Sequence, residues 1–197
     1  MTRVVNVARF SIIGTGSMAN AIGGLLADGG NDVTYIARDE VGTTALGDVV
    51  VLALPYGAVE GVLAAYGEAL DGKVVVDITN PVNFETFDSL VVPAGSSAAA
   101  QIQATLPNSS VLKAFNTTFA ATLATRKVGD LATTVLIAGD DAAAKAALVA
   151  AVEAGGARAL DAGPLARAHE LESIGFLQIG LAAAGTNPWT GGFALVR

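Results

Sequence analysis

The segment Phe10-Ser11-Ile12-Ile13-Gly14-Thr15-Gly16-Ser17-Met18-Ala19 constrains this chain more than any other. An apolar run of strand length ends in Gly14 and Gly16, and a helical pattern rich in Ala, Leu and Ile begins at once. Gly14 permits a sharp turn, and Gly16 removes the Cβ that would hold a ligand away from the backbone. The small Ala19 lets the helix pack closely on the strand. Free N–H groups and the positive end of the helix dipole then face the turn, which suits a pyrophosphate. Taken alone, such a turn is a weak signal, and the pattern around it decides its meaning.

That pattern alternates. Residues 8–14 and 32–38 read as strands joined by a helix over 17–29, which Gly29-Gly30-Asn31 stops. The run 48–54 is the most apolar and belongs at the centre of a sheet covered on both faces. A helix over 57–70, a strand over 73–78 and a helix over 96–106 follow. Strands over 110–114 and 134–139, a helix over 141–154 and a short strand near 157–160 complete the alternation. This order predicts an α/β fold: a Rossmann-like doubly wound parallel sheet with right-handed crossovers and helices on both faces. Residues 39–47 are too few for a normal crossover between parallel strands, so one unit of such folds is cut to a loop.

Further on, Leu171, Ile174, Leu177, Gln178 and Leu181 recur at three- and four-residue spacing and predict a helix over 165–185. The tail Asn187-Pro188-Trp189-Thr190-Gly191-Gly192 breaks that helix, and Phe193-Ala194-Leu195-Val196 reads as a small strand. Trp189 anchors this tail on the core, with a lid over the site as the alternative. Without repeats or a low-complexity linker, 1–197 is expected to form one domain: a nucleotide-binding core over 1–160, then a C-terminal helical extension and tail over 161–197.

Hydrophobic residues make up 52% of the chain and charged ones 15%, enough to bury a large core and exclude disorder. The absence of Cys excludes disulfides and thiolate nucleophiles. A net charge of −7 argues against nucleic acid and anionic membranes as partners. The stretch between Glu172 and Arg197 is uncharged, but its five glycines with Asn187 and Pro188 make a poor membrane span. The first residues lack the apolar core of a signal peptide, so a soluble cytoplasmic protein is expected.

Open parallel sheets bind ligands beyond the carboxyl ends of their strands. At the end of the second strand the first charge is Arg38. An Arg there accommodates the 2′-phosphate of NADP(H), whereas a carboxylate grips the ribose hydroxyls of NAD; Asp39 keeps that second option open. Leu54-Pro55-Tyr56 closes the third strand, and Asp77-Ile78-Thr79-Asn80-Pro81-Val82-Asn83 the fourth. Lys113-Ala114-Phe115-Asn116-Thr117-Thr118 closes the fifth. The cofactor-binding candidates are therefore Gly14, Thr15, Gly16, Ser17 and Met18 in the turn, with Arg38, Leu54, Pro55, Tyr56, Asn80, Pro81 and Asn116 at the strand ends. No acid–base constellation stands out. The sole histidine, His169, sits on a helix with Arg167, Glu170 and Glu172 and reads as a surface or dimer contact; without a second histidine it makes no metal site. Hydride transfer needs no such group, because the cofactor carries the chemistry and the protein supplies position.

Together these residues resemble the deazaflavin (coenzyme F420)-dependent NADP reductase family, in a compact bacterial dinucleotide-binding oxidoreductase subgroup. The resemblance covers almost the whole chain. Ile13-Gly14-Thr15-Gly16-Ser17-Met18, Arg38, Leu54-Pro55-Tyr56 and Asp77-Ile78-Thr79-Asn80-Pro81 carry it. More distinctive are Lys113-Ala114-Phe115-Asn116-Thr117, and Asp161-Ala162-Gly163-Pro164-Leu165 followed by Leu171-Glu172-Ser173. The resemblance implies that Thr15 and Arg38 contact the 2′-phosphate and that Pro55, Asn80 and Pro81 border the nicotinamide. It further implies a homodimer packed through the last helix. Hydride would pass directly to a deazaflavin stacked on the nicotinamide. The chain departs from the family at Ala37, where a Ser is usual, and in the short 39–47 loop. The expected function is an NADP(H)-dependent oxidoreductase that moves hydride to or from a deazaflavin or similar flat, small-molecule redox acceptor. Two alternatives stand beside it: a small carbonyl or imine reductase with His169 or Tyr56 as proton donor, and a non-catalytic NADP(H)-binding module or reductase subunit.

Overall fold

The computed structural model describes residues 8–196. Its centre is a seven-stranded sheet built from β1 (Arg9–Ile13), β2 (Asp32–Ile36), β3 (Val49–Leu52), β4 (Val74–Asp77), β5 (Ser110–Lys113), β8 (Thr134–Gly139) and β9 (Arg158–Gly163), in the order β2-β1-β3-β4-β5-β8-β9. The two short strands β6 (Lys127–Val128) and β7 (Leu131–Ala132) form a hairpin of their own. Six helices accompany them: α1 (Ser17–Asp28), α2 (Val59–Tyr66), α3 (Ala98–Thr105), α4 (Ala120–Thr125), α5 (Ala142–Ala154) and α6 (Ala168–Ala183). None is long and apolar enough to cross a membrane among the described residues.

The β-branched runs of β3 and β4 form strands because both their faces are covered. Successive side chains go to opposite cores, as the two-residue period of a strand demands. Val51 joins Phe10, Ile12, Ile22, Leu25, Leu112 and Phe115 on one face. Val50 and Leu52 join Ile13, Ile36, Leu63, Val75 and Ile102 on the other. Two helices start on side-chain caps: Ser97 accepts from the Ala100 N–H, and Asp141 from those of Ala143 and Ala144. By contrast α1 starts at Gly16 with no side-chain cap.

The short connection over 39–47 does replace a helical crossover. After a 3-10 turn at Arg38–Glu40 the chain runs down the face of β1, where the Gly47 N–H donates to Ser11 Oγ at 2.8 Å. A Cβ at Gly47 would stand 2.4 Å from the Arg9 carbonyl oxygen, so only glycine permits so close a path. β2 is thereby left at the edge of the sheet.

Three expectations need correction. The sheet is not wholly parallel: β8 runs antiparallel to β5, through the pairs Leu112↔Gly139 and Lys113↔Ala138, and parallel to β9. The cause is the stretch 114–133, where α4 and the β6–β7 hairpin turn the chain around instead of carrying it back to the start of the sheet. Both elements went unforeseen because each is too short to show a period. Phe193–Val196 is not a strand; among the described residues it is held by the bonds from the Phe193 N–H to Gln178 Oε1 and from Arg158 Nη1 to the Leu195 carbonyl. Nor does Trp189 anchor the tail in the core, since it is 53% exposed and rests on the ring of Phe119.

Candidate functional site

From β1 the chain passes through α1 to β2 on one side, while β3 lies on the other. The carboxyl ends of β1 and β3 thus diverge at a topological switch point, where open sheets form their ligand crevice. Gly14 sits at this divergence with φ +128°, and its N–H donates to the Ile36 carbonyl at 2.9 Å. An added Cβ would stand 2.2 Å from the Ala53 carbonyl oxygen, so the turn requires glycine on both counts. Gly16 is the opposite case: a Cβ there would meet nothing within 4 Å. That open space lies over the first turn of α1, whose N–H groups have no acceptor within the helix. Asn20 braces the turn from below, donating to the carbonyls of Thr15 and Gly16 at 3.0 Å each.

Two cavities are lined by successive residues of this turn and the start of α1. The first, of about 640 Å³, has Ile13, Gly14, Thr15 and Gly16 along its floor. Arg38 and Val41 bound it beside β2, and Leu54, Pro55, Gly57 and Gly61 bound it beyond β3. Arg38 is exposed, and Asp39 is not part of this lining. The carboxylate of Glu40 is turned away to accept the Ala37 N–H at 2.8 Å. The second cavity, of about 580 Å³, begins at Ser17 and Met18 and continues past Asn80 and Asn116 to Phe119, Ile179 and Trp189. Together the two hold all but two of the anticipated site residues. Pro81 is buried beside Asn80 and lines neither cavity. Tyr56 opens instead on a third hollow between α2 and α3, and partial burial raises the pKa of its hydroxyl.

Asn80 and Asn116 form a pair. Asn116 Nδ2 donates to Asn80 Oδ1 at 2.9 Å and to the Leu171 carbonyl at 2.8 Å, and Asn80 Nδ2 donates to the Asn116 carbonyl at 3.0 Å. Helix α6 bears directly on the pair at Gly175, where a Cβ would stand 2.2 Å from Asn80 Oδ1. The chain reaches Asn116 through Phe115, fully buried with φ +64°, a conformation that a non-glycine residue keeps only where its surroundings enforce it. Asn116 Oδ1 is left buried without a hydrogen-bond partner. An orphaned acceptor beside a ligand cavity fits an incoming N–H, such as that of a carboxamide.

Beneath this pair lies a group of charges that the motifs hid. Asp77 and Lys113 are register partners at the ends of β4 and β5. Lys113 Nζ reaches Asp77 Oδ2 at 2.7 Å, Glu172 Oε1 of α6 at 2.8 Å and the Thr79 carbonyl at 2.6 Å, and all three side chains are fully buried. Asp77 Oδ1 accepts the Thr79 N–H, and Glu172 Oε2 accepts the Ala98 N–H at the start of α3. Burial pushes the Glu172 carboxyl above its ordinary range, while the Lys113 ammonium pulls it back. The visible signal was a lysine closing an apolar strand; its partners were not visible. His169 stands apart, half-buried, with Nδ1 3.0 Å from the Ser96 carbonyl oxygen, and lines neither cavity.

Comparison with known proteins places this geometry in context. Residues 36–81 match the family described as NADP oxidoreductase, coenzyme F420-dependent. An F420-dependent NADP reductase from Methanocaldococcus jannaschii is 31% identical over 161 residues, covering 80% of this chain and 72% of the relative. The crystal structure of a candidate F420-dependent NADP reductase from Arthrobacter sp. FB24 superposes with a TM-score of 0.82 at 28% identity, covering 96% of this chain and all of that one. A hypothetical protein from Sinorhizobium meliloti shares the fold, with a TM-score of 0.68 at 22% identity over 81% of this chain and 87% of its own.

Proposed function

The chain belongs to the family of coenzyme F420-dependent NADP oxidoreductases, and from that premise we propose how its two cavities divide one reaction between them. The protein is an NADP(H)-dependent oxidoreductase. NADP(H) lies along the first cavity with its nicotinamide reaching the Asn80–Asn116 end of the second, and the flat ring of the F420-type deazaflavin occupies the rest of the second. The observation that carries this reading is the Gly14–Gly16 turn, which lines the first cavity, leaves empty space above Gly16 and runs directly into Ser17 and Met18 of the second.

The first-turn N–H groups of α1, from Ser17 and Met18 on, hold the pyrophosphate. Thr15 and Arg38 hold the 2′-phosphate, as Arg38 lines the cavity and Asp39 does not. Leu54 and Pro55 flank the path between the two ends. Asn116 Oδ1 takes the carboxamide N–H, with Asn80 and Pro81 fixing its height. When bound, the nicotinamide supplies a hydride from C4 to the deazaflavin ring, which takes one proton from water to balance. The chain's task is to hold the two rings face to face and to keep solvent from between them. The carbonyl or imine reductase alternative draws no support, because His169 is engaged by Ser96 and Tyr56 opens on the third hollow.

The working form is a homodimer in which α6, with Ile174 and Leu177 exposed, packs against its copy. In this reading 161–197 serves the dimer and 1–160 the nucleotide. Sedimentation as a monomer at micromolar concentration would remove that part. For the reaction, purified protein is mixed with NADPH and, separately, a deazaflavin, riboflavin, a quinone and a ferric chelate. Loss of NADPH absorbance with matched reduction of the deazaflavin is the expected result. No oxidation with any acceptor at high protein concentration would count against the reading.

A further inference from the structure

Among the described residues the lining of the second cavity is uncharged: Ser17, Asn80, Asn116 and Thr118 give it a small polar end, and Met18, Phe84, Phe119, Ile179 and Trp189 an apolar one. Its aromatic members are poorly covered. Phe84 is 58% and Trp189 53% exposed, although aromatic rings of this size normally lose most of their surface to water on folding. Trp189 leans on Phe119 with ring centroids 4.9 Å apart, and Phe84 is braced edge-on by Phe87 at 5.6 Å. Each exposed ring is thus steadied by a second aromatic, and both line the one cavity that also holds the orphaned Asn116 Oδ1.

Wet aromatic faces at a cavity that ends in an unpartnered acceptor are a stacking site for another flat ring. Among the described residues no cationic side chain lines this cavity, and its one backbone anion cradle, at Ser17 and Met18, is taken by the pyrophosphate in the proposed reading. We infer that Trp189 and Phe84 form the subsite that grips the ring of the hydride acceptor, and that this subsite recognises an uncharged planar ring while ignoring any anionic side chain attached to it. The inference rests on the acceptor occupying the second cavity, as proposed above. Trp189 therefore determines specificity from the tail and touches the acceptor rather than the nicotinamide.

Trp189 is the chain's single tryptophan, so its emission reports on this subsite alone. The probes are 5-deazariboflavin and its 5′-phosphate, which carry the same ring without and with an anion, titrated in the presence of saturating NADP+. Both are expected to quench Trp189 emission, with dissociation constants within about threefold of each other and little change with salt. Tighter binding of the phosphate form by more than about tenfold, weakening as salt rises, would overturn the inference. In turnover, Trp189→Ala should raise KM for 5-deazariboflavin about tenfold, the scale of one lost stacking contact. Trp189→Phe should restore most of that loss, while kcat and the NADPH dissociation constant, read from nucleotide fluorescence, move less than about twofold. An unchanged KM in Trp189→Ala sinks the inference and leaves the function standing. Wild-type protein that binds NADPH yet reduces neither probe sinks the function, and the inference with it.

Discussion

The two ends of the nucleotide path are built by opposite means. At the pyrophosphate end, residues 14–20 do the work consecutively: a positive-φ glycine, an open glycine, the start of α1 and the Asn20 brace. In the proposed reading backbone N–H groups are the binding elements there, and any sequence that makes the turn presents them. At the nicotinamide end almost nothing is local. Asn80 and Asn116 come from the ends of β4 and β5, and Leu171 and Gly175 reach them from α6. Asp77, Lys113 and Glu172 lock the three elements together underneath. The first end is a shape the chain makes by itself; the second is an agreement among distant segments, paid for with buried charge.

Changes at the second end should therefore act on the fold, and changes at the first on binding. Lys113→Met leaves two carboxylates buried without their cation, and a loss of about 3–5 kcal/mol is expected in urea denaturation. A loss below about 1 kcal/mol would show that the buried charges are incidental. If Arg38 holds the 2′-phosphate as proposed, Arg38→Ala removes a charge-assisted contact worth about 1.5–3 kcal/mol. Calorimetry should show NADPH weakened by at least tenfold and NADH unaffected; an equal loss for both nucleotides would refute the assignment. Gly16→Ala places a methyl group in space that meets no protein atom within 4 Å. Stability should fall by less than about 1 kcal/mol, while NADPH affinity drops about tenfold, or about 1.4 kcal/mol. The smallest effect lies outside both ends. Asp161 accepts from Lys145 Nζ and the Gly163 N–H at 2.8 Å each, and the Lys145 ammonium first, then the Gly163 N–H, holds its carboxyl below the ordinary 3.8. A lowered carboxylate stabilises the fold above its ordinary value and loses that contribution as pH falls through the lowered one. Asp161→Asn should flatten the acid side of the stability profile by less than about 1 kcal/mol, because the site is largely exposed.

The same contrast explains what could be read beforehand. The placement of Gly14, Gly16 and Arg38 around one cavity was legible because each is marked by its residue type within a few positions of a strand end. The shortened 39–47 connection was legible as arithmetic, being too few residues for a crossover. The Asp77–Lys113–Glu172 lock was not, since each member looked like an ordinary polar residue in its own motif and only the sheet register and α6 bring them together. The reversal of β8 was hidden for another reason: α4 and the strands of the β6–β7 hairpin are too short for periodicity to register. Trp189 misled because a large aromatic is normally an anchor, and here it borders a cavity.

The connection over 39–47 has a kinetic corollary. Among the described residues no helix is laid across the edge beside β2, and on that side Ile36, Arg38 and Val41, with Gly57, Ala58, Gly61 and Val62 opposite, bound the first cavity where the proposed adenosine end would lie. In the proposed placement, a nucleotide lying there would leave sideways without any domain having to swing open. On the proposed assignment, residence would rest chiefly on the pyrophosphate turn, Arg38 and Asn116, and NADP(H) would exchange as a travelling carrier between turnovers.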